Sequence, residues 1–228
     1  MKVFNLFFMF VVFSSCWLVP LAAECIVVDD PLCGKRIAVI GDSYVRNHME
    51  PIEYTWHYKL AKRHQMHYEN YGINGNCISI SRVSQGFGEP LCERFRQMPD
   101  SLDYVIVIAG HNDAWNLSSI GIDIFKEKLK ILCEGLLDKY PKGKIFFFTC
   151  WGCKNFRGSN SEKIVDAILD ICGQFAIPVF DAARNSNIYV ASDKFREIYF
   201  QAKDDFAHLN ALGHDRFLRC AEEFLLRY

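Results

Sequence analysis

The sequence carries no excess of charge: 26 Lys and Arg stand against 27 Asp and Glu over 228 residues, a formal net charge of −1. Without a clustered basic run it offers no electrostatic footprint for nucleic acid, whose phosphates are met by grouped Lys and Arg. No low-complexity tract and no internal repeat occur, which excludes solenoids and disordered spacers. Beyond residue 23 no apolar stretch is long enough to span a bilayer. No long apolar segment suggests a lid over a lipid site either. Metal chemistry lacks its parts. Cys150-Trp151-Gly152-Cys153 has the spacing of half a zinc site, yet no His-x-x-His and no second close Cys pair completes it. No metal and no other cofactor is expected.

Half of the residues are hydrophobic, and residues 1–23 concentrate that character. Lys2 precedes the apolar run Phe4 to Phe13, and small residues follow at Ser14-Ser15 and Ala22-Ala23. This is the layout of a secretory signal peptide. Ser14-Ser15-Cys16 offers an alternative, a lipoprotein signal with Cys16 as a lipid anchor. The expectation is an exported protein, periplasmic, secreted or held in a cell envelope, with residues 24–228 as a single domain. Ten cysteines agree with an oxidising compartment. Cys25 with Cys33 and Cys77 with Cys92 are candidate bridges. Without Cys16 nine cysteines remain, so at least one thiol stays free or pairs between chains.

The mature chain alternates strand and helix patterns. Arg36 to Ile40, Asp103 to Ala109 and Lys144 to Thr149 are short apolar runs suited to buried strands, with weaker strands at His67 to Tyr71 and Ile177 to Asp181. Helical spacing covers Pro51 to Arg63, Pro90 to Met98, Ile122 to Tyr140 and Asn210 to Arg227. Ser161 to Phe175 is a further helix with Ser161 as a cap, and the segment before Asn210 is variable. This rhythm predicts an α/β protein with a parallel sheet covered on both faces.

Polar residues gather where the first three strands end. Ser43 follows the first strand after Gly41, Gly75 follows the second, and Asn112 the third; Asp205-Phe206-Ala207-His208 precedes the last helix. Carboxyl ends of strands are where open α/β sheets bind ligands. A serine hydroxyl becomes a nucleophile when a histidine takes its proton, and the histidine needs a carboxylate to orient it. An Asp three residues before a His can supply that contact locally. A glycine N–H and an Asn amide are suitable donors to a developing oxyanion. Asp204 is a rival to Asp205, and Gly72 to Gly75. Tyr44, His111 and Trp115 flank these positions as candidate pocket residues, and Tyr44 and Trp115 could stack on a sugar ring. Asp113 is placed as a helix cap or loop anchor, and His214 as a surface or packing residue. His48 and His57 have no evident partner.

These blocks make the sequence resemble the SGNH hydrolases, also called the GDSL esterase/lipase family. Gly41-Asp42-Ser43-Tyr44 is similar to its first block, with Tyr for the common Leu. Asn70-x-Gly72-x-x-Gly75, Gly110-His111-Asn112-Asp113 and Asp205-x-x-His208 follow in the family's order. The resemblance implies a flavodoxin-like three-layer α/β/α sandwich with a five-stranded parallel sheet. It also implies ester hydrolysis through an acyl-enzyme without a metal. Ser43 would be nucleophile, His208 base and Asp205 its partner; the Ser43 and Gly75 N–H groups and the Asn112 side chain would form the oxyanion hole. The expected activity is removal of short acyl groups, acetyl above all, from a small or glycan ester. A lysophospholipase or thioesterase, a silent glycan-binding envelope module, and acyl transfer to an acceptor other than water are the alternatives.

Overall fold

The three central strands are apolar almost throughout, so both their faces must be covered. A computed structural model describes residues 30–228; residues 1–23, expected to be a signal peptide, and Cys25 lie outside the described residues, as does the candidate lipid anchor Cys16. In chain order the elements are β1 (Arg36–Gly41), α1 (Ser43–Arg46), α2 (Trp56–Arg63), β2 (His67–Gly72), α3 (Leu91–Arg94), β3 (Tyr104–Ile108), α4 (His111–Ile120) and α5 (Ile122–Lys139). Then come β4 (Lys144–Phe148), α6 (Asn160–Gln174), β5 (Val179–Phe180), α7 (Ala182–Asn185), α8 (Asp193–Tyr199) and α9 (Ala211–Leu225). The strands form one five-stranded sheet in the order β2-β1-β3-β4-β5, every pair parallel.

Side chains alternate across this sheet with the two-residue period of a strand. Ile37, Val39, Ile106, Phe146 and Phe148 point to one face, where Trp56 and Leu60 of α2 and Phe217 and Phe224 of α9 pack on them. Ala38, Ile40, Val105, Val107 and Phe147 point to the other, covered by Phe125, Leu129 and Leu132 of α5 and Ile164 and Ile168 of α6. Each fully buried side chain of this size contributes about 1.5–3 kcal/mol, so a sheet sandwiched between two helical layers is the arrangement that the strand pattern demands. It is the expected flavodoxin-like α/β/α sandwich.

Several local expectations are corrected. The helix around residue 160 is capped by Ser159, whose hydroxyl accepts from the Glu162 N–H at 3.2 Å, and Ser161 lies inside it. The signal was present: Ser159-x-x-Glu162 has capping-box spacing. Residues 111–120, to which the sequence pattern assigns no element, form α4, and the variable segment contains α7 and α8. The candidate bridge between Cys77 and Cys92 is absent, since both are buried free thiols. Of the two expectations for His214, surface or packing, the second holds, the side chain being 2% exposed.

His57 and His214 sit within this packing. His57 Nδ1 is 2.8 Å from the Tyr68 hydroxyl and 3.1 Å from that of Thr55. The Trp56 N–H donates to His214 Nδ1 at 3.3 Å, so Nε2 carries the proton and donates to Asn47 Oδ1 at 3.1 Å. Burial lowers the pKa of His57 from 6.5 to about 3. Between those values the unfolded chain binds a proton that the folded one refuses, so stability falls as pH drops from about 6.5 towards 3. The full effect of such a shift is up to about 4–5 kcal/mol. Urea unfolding of wild type and His57→Gln across pH 4–8 isolates this contribution from other titrations. The gap between the two is expected to narrow as pH falls, and a gap independent of pH would show that His57 is not the group responsible.

Candidate active site

Ser43 reaches the sheet edge because Gly41 permits a close crossing of chains. A Cβ on Gly41 would lie 2.0 Å from the Ile108 carbonyl oxygen and 2.6 Å from Val45 Cγ2. With that approach allowed, Asp42 leaves the strand and caps α1, its Oδ1 accepting from the Tyr44 N–H at 2.9 Å. Ser43 is thus the first residue of a short helix at the point where β1 lies between β2 and β3, the position at which strand order reverses and ligands bind.

Asp205 and His208 are brought together by their own loop. Asp205 Oδ1 accepts from the N–H groups of Ala207 at 2.8 Å and His208 at 2.9 Å, leaving Oδ2 2.8 Å from His208 Nδ1. Three residues of separation suffice because the carboxylate folds the turn around itself. The loop is fixed from below by Trp151, whose indole N–H donates to the Ala207 carbonyl at 2.7 Å. His208 Nε2 is 2.8 Å from Ser43 Oγ. With Nδ1–H donated to the carboxylate, the Nε2 lone pair faces the hydroxyl proton, which is the arrangement required for general-base activation. Asp205 is half-buried, which alone would raise its pKa, but the bonds from His208 and the two backbone N–H groups hold it below the ordinary carboxylate range. Asp204 is exposed and is not the partner of His208.

Gly75 and Asn112 converge on the same cavity of about 620 Å³, with Ser43, His208, Arg82 and Trp115. Gly75 has φ +72°, and a Cβ there would meet the Phe87 ring at 2.7 Å, so only glycine fits without rearrangement. Gly72 is the poorer donor because its N–H is taken by Asn70 Oδ1 at 2.9 Å. Asn112 lies in the first turn of α4. Its amide donates to Asp42 Oδ2 and to the Asn76 carbonyl, both at 3.1 Å, which ties the first-, second- and third-strand loops together. An oxyanion would have to replace one of these acceptors. Burial pushes the Asp42 pKa up to about 7, against the Tyr44 N–H, His208 and Asn112, which favour its charge. Asp113 is a loop anchor, accepting from the N–H of Ile78 and the N–H and hydroxyl of Ser79.

The flanking residues divide. Tyr44 is 3% exposed and packs on Trp151 with ring centroids 4.4 Å apart, so it cannot receive a sugar ring. Trp115 is 79% exposed at the cavity rim. The Trp115 indole N–H donates to His111 Nε2 at 3.0 Å. His111 therefore carries its proton on Nδ1, 3.4 Å from the Tyr44 hydroxyl. Burial, helped by His208, lowers the His111 pKa to about 4 and keeps the ring neutral. A second cavity of about 710 Å³ adjoins His111, Trp115 and His208 and extends to Ala114, Phe206 and Lys154. Among the described residues no group of three or more His, Cys, Asp or Glu side chains is placed to hold a metal ion.

Sequence reasoning missed Asn47, His48, Arg94 and Trp151. Arg94 is buried and donates to the carbonyls of Gly41 at 3.2 Å and Tyr71 at 2.9 Å and to Asn76 Oδ1 at 3.2 Å, clamping the ends of β1 and β2 to the loop that follows β2. No spacing pattern in the sequence signals such a clamp. Trp151 was visible but hidden inside a motif read for its cysteines.

The fold and its site can be set against known proteins. A Lactobacillus plantarum protein of known structure is 23% identical, with a TM-score of 0.73 over 86% of this chain and 98% of its own. A member of the lipolytic protein G-D-S-L family from Veillonella parvula is 16% identical, TM-score 0.54, over 85% and 99%. An acetyl xylan esterase is also 16% identical, TM-score 0.59, over 84% and 98%. These likenesses carry the fold. No curated protein matches the sequence. The model of the GDSL-like lipase/acylhydrolase family matches residues 39–216, from the first strand through the Asp205–His208 loop into α9, and the chain belongs to that family.

Proposed function

We propose that this protein is an exported serine esterase that removes short acyl groups, acetyl foremost, from carbohydrate. The observation that carries the chemistry is the relay of two 2.8 Å contacts from Ser43 Oγ to His208 Nε2 and from His208 Nδ1 to Asp205 Oδ2. Ser43 Oγ attacks the ester carbonyl as His208 Nε2 takes its proton, and Asp205 balances the imidazolium. The tetrahedral oxyanion is met by the Ser43 and Gly75 N–H groups, neither engaged in a hydrogen bond among the described residues, and by the Asn112 amide. Collapse expels the alcohol, which takes the proton from His208. Water then attacks the acyl-enzyme by the same relay in reverse, releasing the acid and restoring Ser43.

The substrate reading is supported by the lining of the Ser43 cavity. Asn74, Arg82, Asn112 and Asn116 offer polar groups suited to hydroxyls, and Trp115 stands exposed at the rim as a face for a sugar ring. The acetyl xylan esterase of the same fold acts on such an ester by its name. A second reading, a lysophospholipase or thioesterase, draws on the neighbouring cavity, where Ala114, Phe206 and Ala207 could receive a longer acyl chain. Rates on p-nitrophenyl esters from acetyl to dodecanoyl decide between them. The expected kcat/KM is highest for acetyl and falls by at least about tenfold along the series. A rise with chain length would establish the second reading, and no turnover of any ester would leave a glycan-binding module.

A further inference from the structure

His48 and His111 both line the Ser43 cavity without a part in the hydrolytic scheme, and of the two His48 is the one stacked on the proposed base. Its ring lies parallel to that of His208, centroids 4.1 Å apart and 12° between planes, and it lines the Ser43 cavity. The other aromatic neighbour of His208, Tyr44, is tilted by 53° at 6.4 Å and gives no comparable support.

The backbone is strained to put the ring there. Asn47 and His48 both have left-handed φ, +68° and +49°, which neither adopts at no cost. The turn is held from several elements. Asn47 donates to the Pro51 carbonyl at 2.6 Å, and its Oδ1 accepts from His214 Nε2 of α9 at 3.1 Å. Gln201 Nε2 reaches the Asn47 carbonyl at 3.2 Å, while Asn74 donates to the His48 carbonyl at 3.2 Å. A conformation this costly, fixed by side chains from three other parts of the chain, is over-determined in the way that functional sites hold strain.

We propose that His48 is a positioning residue for His208: its ring braces one face of the catalytic imidazole, and in neutral form it stabilises the imidazolium that forms when Ser43 attacks. The inference rests on the esterase reading for its rate effect but not for the bracing itself. The hydrogen bonds of His208 at its two nitrogens resist tilting of the ring only weakly; a parallel ring at van der Waals distance opposes that tilt from one face. A neutral aromatic face also favours an adjacent cation. A protonated His48 would do the opposite. The groups facing His48 are His208, which disfavours its charge, and Asp205, which favours it; with partial burial as the largest influence, its pKa lies below 6.5.

Three variants and two measurements test this. In His48→Ala, kcat on p-nitrophenyl acetate is expected to fall about tenfold with KM changed far less, while His48→Phe, which keeps a flat ring and cannot titrate, restores most of the rate. Below its acid limb the wild-type log(kcat/KM) should steepen towards a slope of about 2, as two protons inactivate, whereas His48→Phe keeps a slope of about 1. By proton NMR, the His208 Nδ1–H resonance should be sharp in wild type and His48→Phe and broadened in His48→Ala, and His48 should titrate higher in His208→Ala. An unaltered kcat in His48→Ala, or a change confined to KM, would reduce His48 to a wall of the cleft and overturn the proposal. If the protein hydrolyses no ester, the NMR comparison still decides: an equally sharp His208 resonance in His48→Ala overturns the brace, and its selective loss upholds it while the esterase reading fails.

Discussion

Ser43→Ala is expected to lower kcat/KM for acetyl esters by about 10⁴- to 10⁶-fold while leaving the fold intact. The change removes one hydroxyl from a residue only 6% exposed, at the start of a four-residue helix whose cap, Asp42, is untouched. Both backbone donors of the proposed oxyanion hole remain. What is lost is the atom that would form the proposed acyl-enzyme, and nothing nearby replaces it: Cys150, though buried beside Tyr44 and Asp42, is held protonated, its thiol raised to about 12 by burial. Because Ser43 and His208 act as one unit, the double variant Ser43→Ala/His208→Ala should be no slower than either single one. Steady-state rates paired with thermal melts check this. Residual turnover above about one hundredth of wild type in a folded Ser43→Ala protein would show that another group carries the reaction.

Asp205→Asn comes next in size, at about 10³- to 10⁴-fold in kcat. An asparagine keeps an oxygen for the Ala207 and His208 N–H groups, so the turn survives. Its amide nitrogen then faces His208 Nδ1, which must become the acceptor, and the proton moves to Nε2. An imidazole protonated on Nε2 donates to Ser43 Oγ and cannot remove its proton. The sign with pH follows from the same contact: with its pKa held below the ordinary carboxylate range, Asp205 stays ionised across the range in which an esterase works, so the wild-type acid limb does not come from this group. Asp204→Asn, one position earlier and exposed, is the control and should lie within about twofold of wild type. Equal losses in the two variants would dissolve the assignment of Asp205.

What was legible in the sequence is what is local. The three central strands could be read because burial on both faces demands unbroken apolar runs, and the parallel sheet followed from alternation with helices. Asp205 and His208 were legible as a pair because the bond between them closes within one turn. Gly75 and Asn112 were recognisable from their blocks. By itself the sequence therefore determined the sheet, the layers and the types of chemical group available.

The tertiary structure decided how those groups are held. Tyr44 looked like a pocket residue because it follows Ser43, but α1 turns it inward onto Trp151, so adjacency in sequence was no guide to exposure. Ser161 lost the cap to Ser159 since helix ends depend on which backbone N–H is left unpaired. His48 stands 160 residues from His208 and meets it only because Asn47, His214 and Gln201 force a left-handed turn. Arg94 joins the ends of two strands, β1 and β2, through backbone carbonyl oxygens, groups that every residue carries and no sequence pattern marks. Periodicity and local hydrogen bonds are written in neighbouring residues; contacts between distant loops depend on the packing of the whole sheet, and only the folded chain contains them.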